Sequence, residues 1–186
     1  MPLATPGGTK ANVSPANLID QPSDDTLVSR AVTISRPPEE LYRFWRDFSN
    51  LAQIMDDIER IEVIDPVRSH WVVKGPGGKD VEWDSLVTED VANRRIAWKA
   101  AEGAEIQNSG WVEFREGPEG RGTEVHALIA YDAPGGLFGR LIAKALQHEP
   151  NTQARRELRR FKQLMETGEV TTSEGPRGGK HAKKES

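Results

Sequence analysis

Acid–base side chains stand two residues apart at two places in the chain, Glu82 with Asp84 and Glu124 with His126. Two carboxylates, or a carboxylate beside an imidazole, can act as general acid and base when they are removed from water. In both pairs the residue in between is apolar, and in an alternating strand it takes the opposite, inward face. We therefore expect these four side chains on the outer, solvated face of a sheet, and we predict no catalytic residue.

The histidines, cysteines and glycine-rich turn argue against a metal or a cofactor. The four histidines show neither the His-Glu-x-x-His nor the His-x-His spacing of metal sites. The chain has no cysteine, which excludes disulfides, thiolate catalysis, Cys-ligated zinc and iron–sulfur clusters. Residues 75–79 are glycine-rich, but Asp80 stands where a phosphate loop needs Ser or Thr. We predict a hairpin turn there, no metal and no cofactor.

Charge and hydropathy restrict the partners. The formal net charge is −4 and the isoelectric point is near 5.7, which provides no general attraction for a nucleic-acid backbone. No segment approaches the ~18 consecutive apolar residues that span a bilayer. Residues 1–26 carry one lysine and lack the apolar centre of a secretory signal. We expect a cytoplasmic protein with no nucleic-acid partner and no membrane span.

The residues that could bind a small molecule lie on predicted strands. Trp71, Trp83 and Trp98 share inward faces with apolar neighbours, and their flat rings and single N–H donors suit a ring-bearing ligand. Ser85 and Tyr131 lie on the same inward faces, where each hydroxyl needs a backbone or ligand partner. These five residues could instead fill the core, and the sequence leaves both interpretations open.

A mixed order of elements must position these residues. Residues 27–35 alternate and are rich in Val, Ile and Thr, as is typical of a strand. Two prolines and two glutamates then predict the first turn of a helix, and Asn50 is predicted to cap a second short helix. Six further alternating stretches, joined by short turns, predict an antiparallel meander. Apolar stripes predict a long helix over 137–166, bent at Pro150.

The predicted fold class is therefore α+β, with about seven strands curved around a long C-terminal helix and two short helices after the first strand. Residues 1–26 have little to bury and predict a disordered leader, and residues 168–186 predict a disordered basic tail. The folded domain is expected over residues 27–167.

Four arginines crowd one stretch of the predicted long helix: Arg155, Arg156, Arg159 and Arg160. We interpret them as a solvated face that forms ion pairs with nearby glutamates of the same helix. An acidic partner, or a ligand with a carboxylate tail, is the alternative.

Short stretches over most of the predicted domain carry a family resemblance: SRPPEELY at 35–42, FWRDF at 44–48, SHW at 69–71, VEWD at 81–84, IAW at 96–98, GTEV at 122–125 and RRFK at 159–162. Together they resemble the cyclase/dehydrase branch of the SRPBCC, or START-like (Bet v 1-like), superfamily. That branch groups polyketide cyclases with coenzyme-Q-binding START proteins. The resemblance covers residues 28–168. It implies a helix-grip fold with a cavity between the concave face of the sheet and the C-terminal helix.

Three functions are open on this sequence. The first is binding of a lipophilic small molecule, such as a quinone, a polyketide or an isoprenoid. The second is a polyketide cyclase/dehydrase-type enzyme, in which the protein supplies mainly shape and exclusion of water. The third is an interaction domain with a filled core and no ligand. We favour the first because no catalytic constellation is present. The predicted ligand-binding residues are Trp71, Trp83, Ser85, Trp98 and Tyr131 from the strands and Leu141 and Ala145 from the long helix.

Overall fold

Seven antiparallel strands form one curled sheet in the order β1-β7-β6-β5-β4-β3-β2. The computed structural model describes residues 26–74, 78–104, 106–131 and 150–170. Neighbouring strands follow one another in the chain except β1, which pairs with β7, so β1 and β2 form the two edges. The strands are β1 (Thr26–Ile34), β2 (Ile58–Val63), β3 (Arg68–Lys74), β4 (Asp80–Val91), β5 (Arg95–Ala100), β6 (Asn108–Glu116) and β7 (Thr123–Tyr131).

Two short helices follow β1, as predicted. Helix α1 (Pro38–Arg46) has a proline in its first turn. Backbone N–H groups there make no hydrogen bond within the helix, so the missing N–H of proline costs nothing. Its first turn also carries Glu39 and Glu40, whose charges suit the positive end of the helix dipole. A short 3₁₀ helix follows at Phe48–Gln53. Both helices lie on the concave face of the sheet and contribute buried side chains to the core.

The cap of the 3₁₀ helix differs from the prediction. Asp47 is the cap, and its carboxylate accepts a hydrogen bond from the backbone N–H of Ser49 at 3.2 Å. Asn50 lies inside the helix, and its side-chain amide donates to the backbone carbonyl of Phe44 at 3.1 Å. The prediction of Asn50 as the cap is wrong because the helix begins two residues before it.

The C-terminal helix α2 (Pro150–Thr167) is tied to the end of β1. The backbone N–H of Ser35 donates to the Glu166 carboxylate at 2.8 Å, and Lys162 donates to the backbone carbonyl of Thr33 at 2.6 Å. The hydrogen bond from Ser35 holds the pKa of Glu166 below its usual value. Residues 137–149 of the predicted long helix lie outside the described residues. Its bend at Pro150 therefore stays a prediction.

The core lies between the helices and the concave face. Phe161 of α2 is fully buried, and its ring contacts Phe44 and Trp45 of α1, with both centroid distances at 5.3 Å. Leu158, one turn earlier, is also buried. The predicted apolar stripe of this helix therefore docks against the rest of the protein. The remaining buried cluster is Ile34, Leu41, Phe48, Leu51, Ile54, Ile96, Val112, Phe114, Val125 and Ala127.

A bulge in β4 turns an acidic side chain toward α1. The register with β5 shifts between Val87 and Glu89, so that Asp90 pairs with the core residue Ile96. The hydroxyl of Tyr42 donates to Asp90 at 2.6 Å, and Nε of Arg46 donates to it at 2.7 Å. A bulge locally inverts which residues face inward. Here it supplies the anchor that holds α1 on the sheet.

The basic stretch of α2 is only partly solvated. Arg155 and Arg159 are exposed, as expected. Arg160 is largely buried and forms an ion pair with Asp56, and Nη2 of Arg156 lies 3.8 Å from the same carboxylate. Partners within the helix were predicted from the sequence. The partner observed for Arg160 lies in the loop after the 3₁₀ helix, a contact that only folding creates.

Strand β1 begins one residue before the predicted domain start, and α2 ends at the predicted residue 167. Residues 1–25 and 171–186 lie outside the described residues, and the disordered leader and tail stay predictions. No helix in the described ranges is long and apolar enough to cross a membrane.

Candidate functional site

Two tryptophans stack on the concave face where β3 meets β4. Trp71 and Trp83 are directly opposite each other in the register, and their ring centroids are 5.9 Å apart at an interplanar angle of 21°. The other side of Trp71 contacts Phe48, with a centroid distance of 6.2 Å. Its indole N–H donates to the hydroxyl of Ser69 at 2.9 Å. Trp71 is therefore fixed by core contacts, whereas Trp83 extends the aromatic surface away from the core.

Ser85 lies on the same face, opposite Ser69, and both serines are buried. The Ser69 hydroxyl accepts the hydrogen bond from Trp71. Within the part of the chain that the structure describes, no group hydrogen-bonds to the Ser85 hydroxyl. Ser85 thus offers a polar contact beside the stacked indoles.

Trp98 reaches the same face from β5, and its ring covers Gly110 of β6. The two residues are register partners. A Cβ atom at position 110 would lie 2.7 Å from Cζ2 of Trp98 and 2.5 Å from the backbone carbonyl oxygen of Leu128. Glycine therefore makes room for the indole against the sheet, and the ring is partly buried there.

The remaining predicted site residues have mixed outcomes. Tyr131 is the last residue of β7, and its backbone pairs with Thr26 and Asn108. Leu141 and Ala145 lie outside the described residues. The strand register thus brings four of the predicted residues, Trp71, Trp83, Ser85 and Trp98, onto one face beside the helices. Their role in ligand binding stays a prediction.

Arg30 on β1 is not among the residues predicted from the sequence for this site. Its register partner is Ala127 of the core, so Arg30 occupies the concave face in line with Val32 and Ile34. The atom Nε of Arg30 is inaccessible to solvent and has no hydrogen-bond partner. The alternation of β1 could have revealed its inward position, because Arg30 is two residues from Val32 and therefore on the same face.

The convex face holds the titratable pairs. His70 lies between two acids of β4, with Nδ1 at 2.8 Å from Asp84 and Nε2 at 3.4 Å from Glu82. The hydrogen bond with Asp84 is the main reason that the pKa of His70 is raised. Nε2 of His126 lies 3.1 Å from Glu124 on β7. The alternation of the strands predicted this outward placement, and the structure agrees.

The convex face also carries a tryptophan of its own, Trp111 on β6. Its register partners are Ala97 and Leu128, and the guanidinium of Arg95 lies 4.6 Å from its ring centroid. Trp111 is therefore an aromatic residue of the same type as Trp98 on the opposite face. Among the described residues, no group of three or more His, Asp or Glu side chains is arranged to hold a metal ion.

The family model described as "Polyketide cyclase / dehydrase and lipid transport" matches residues 34–159. The chain belongs to this family. The match begins at the last residue of β1 and ends within α2, so it includes both short helices and six of the seven strands. The predicted membership of the SRPBCC polyketide cyclase/dehydrase branch is confirmed.

Two relatives share enough sequence to compare in detail. The crystal structure of a Deinococcus radiodurans protein is 39% identical, covers 77% of this chain and 99% of its own, and superposes with a TM-score of 0.63. An uncharacterized 17.2 kDa protein of Streptomyces lincolnensis is 31% identical over 87 residues. That match covers 47% of this chain and 57% of the curated relative. The chain thus aligns with little more than half of that protein.

A second structure is similar in fold alone. The Zhui aromatase/cyclase from Streptomyces sp. R1128 is 16% identical, with 80% of this chain and 100% of that chain covered and a TM-score of 0.58. The seven-stranded curled sheet with its C-terminal helix is therefore the helix-grip fold that the sequence predicted.

Proposed function

We propose that the concave face of the sheet binds a lipophilic molecule that carries a flat ring, such as a quinone, a polyketide or an isoprenoid quinone. The observation that supports this most directly is the row of indoles on one face. Trp83 and Trp98 are only partly buried, although the neighbouring core residues Ile96 and Val112 are fully buried. The aromatic surface therefore continues beyond the packed core.

Indole rings suit this role for physical reasons. A flat apolar ring stacks on another aromatic ring and gains more than its buried area alone provides. Trp71 and Trp83 already form such a stack, so their surface is held in place before a ligand arrives. A binding surface that is ordered in advance loses less entropy on association. The family description, which names lipid transport, supports the same class of ligand.

The test is calorimetric titration of the protein with menadione as the ring-bearing probe. Trp98→Ala is expected to weaken binding about fivefold, because one aromatic contact is worth about 1 kcal/mol beyond area burial. The matched control is Trp111→Ala, which removes the same side chain from the convex face and should leave affinity unchanged. Equal losses in both variants would place the ligand elsewhere. An intact protein that binds neither menadione nor another lipophile would favour an interaction domain with a filled core.

A polyketide cyclase/dehydrase-type enzyme is the second candidate, and the family description supports it directly. In such an enzyme the residues that line the concave face would hold a reactive polyketide chain in one conformation and exclude water. This kind of catalysis needs few catalytic groups. A polyketide synthase that releases an unreduced chain provides the assay. A change in the ring-closure products when this protein is added would support an enzyme. Binding of the chain with unchanged products would support a carrier.

A further inference from the structure

The guanidinium of Arg30 has one satisfied edge and one open edge. Nη1 donates to the backbone carbonyl of Ser29 at 2.8 Å. Nε is inaccessible to solvent and has no hydrogen-bond partner. Nη2 is accessible to solvent, and no described residue accepts a hydrogen bond from it. Nε and Nη2 lie on the same edge of the planar group and donate in parallel. The open edge is thus a two-donor fork on the concave face.

No described carboxylate balances this charge. Arg30 forms no ion pair within the part of the chain that the structure describes, and its neighbours on this face are the core residue Ala127 and the partly buried Val32. The Arg30 side chain is partly buried, and its Nε atom is shut off from water without a partner, which is unfavourable for a group that carries charge. The site therefore favours an incoming oxygen with negative charge.

Arg46 shows what a completed fork looks like in this protein. Its Nε donates to Asp90 at 2.7 Å, and its Nη2 donates to the backbone carbonyl of Pro66 at 2.6 Å. The same two nitrogens are open in Arg30. The difference is position, because Arg46 lies beside the bulge that presents Asp90, whereas Arg30 lies in an apolar row of the sheet.

We infer that Arg30 recognises a carboxylate, and that the ligand of the concave face is a lipophilic carboxylic acid. This inference rests on the proposed function, since it assumes that the concave face takes a ligand. A carboxylate matches the arginine fork with two parallel hydrogen bonds and neutralises its charge. The apolar part of the ligand then extends along the face toward the indoles. The protein selects an acid over the corresponding neutral ester.

The experiment compares acid and ester forms of one molecule. The probes are cis-parinaric acid and 9-anthracenecarboxylic acid, each with its methyl ester, titrated at pH 7.5 and followed by probe fluorescence. The wild type should bind an acid about 10- to 100-fold more tightly than its ester, the range for hydrogen bonds to a charged group. Arg30→Met should abolish this preference and leave ester affinity unchanged. Arg30→Lys should retain part of it, because the charge stays but the fork is lost.

The matched control is Arg94→Met, which removes an exposed arginine from the β4–β5 turn and should keep the preference. Equal binding of acid and ester by the wild type, or a preference that survives Arg30→Met, would overturn the role of Arg30 and leave the proposed function intact. Binding of no probe in either form by a protein that still binds menadione would also overturn the role of Arg30. Binding of neither these probes nor menadione would refute the proposed function. Thermal melts of both Arg30 variants establish that lost preference is not lost folding.

Discussion

The indole of Trp98 lies against the backbone of Gly110, its partner on the neighbouring strand. No other residue type fits at position 110 without movement, because a Cβ atom there would meet both the Trp98 ring and the Leu128 carbonyl oxygen. One glycine therefore determines where an aromatic side chain sits on the candidate binding face. The relationship links a backbone feature of β6 to the surface that a ligand would contact.

Gly110→Ala should destabilise the protein by about 1–3 kcal/mol, as overpacking in a tight site does. It should also weaken menadione binding, because the added methyl group displaces the Trp98 ring. Urea melts and calorimetric titration measure the two effects. Ser109→Ala, a change at the next residue on the opposite face, is the control. The double variant Gly110→Ala with Trp98→Ala should recover only part of the stability, since the clash with the Leu128 carbonyl persists. A single variant as stable as wild type would contradict the role of Gly110.

Truncation of the docked face of α2 should be strongly destabilising. Leu158→Ala or Phe161→Ala is expected to lower the free energy of unfolding by about 2–5 kcal/mol, as removal of buried side chains does. Both residues are buried between α2 and the rest of the core. Arg159→Ala, on the exposed side of the same helix turn, should change stability little. A loss below about 0.5 kcal/mol in denaturant melts for the buried pair would mean that α2 is not held by this stripe.

Removal of the Asp56 charge should destabilise the loop after the 3₁₀ helix. Asp56→Asn removes the carboxylate charge that pairs with the largely buried Arg160 guanidinium. Breaking a fully buried ion pair costs more stability than this, but the Asp56 side chain is about half exposed. We therefore expect the free energy of unfolding, measured in urea melts, to fall by about 1–2 kcal/mol. The control is Glu119→Gln, because Glu119 and Arg121 are both exposed and their pair should contribute little. Equal effects of the two substitutions would show that burial of Arg160 does not matter.

His70 should make stability depend on pH. Its pKa is raised in the folded protein, so the protonated form is stabilised by folding. This contribution is fully present below the unfolded pKa of about 6.5 and is lost as the pH rises through the raised folded pKa. His70→Gln should therefore lower the free energy of unfolding more at pH 5.5 than at pH 8.5. Asp84→Asn should bring the pKa of His70, measured by NMR titration, back toward its ordinary value. A stability difference that grows with pH would have the wrong sign.

The sequence by itself determined the elements and the faces of the strands. Alternation in β3, β4 and β5 placed Trp71, Trp83 and Trp98 inward, and the same alternation placed Glu82 and Asp84 outward. The prolines and glutamates at the start of α1 predicted its first turn. These features depend on local geometry, because strand periodicity and helix termini are set by residues a few positions apart.

Only the tertiary structure decided which groups meet across the fold. Arg160 pairs with Asp56, and the ring of Trp98 settles over Gly110, because strand register and helix docking bring distant parts of the chain together. The open edge of Arg30 is also a tertiary fact. The alternation of β1 predicts its inward position. Whether a carboxylate lies opposite it depends on every element that packs against that face. The local sequence predicts which face of a strand a side chain takes, whereas the pairing of distant strands determines which residues it contacts.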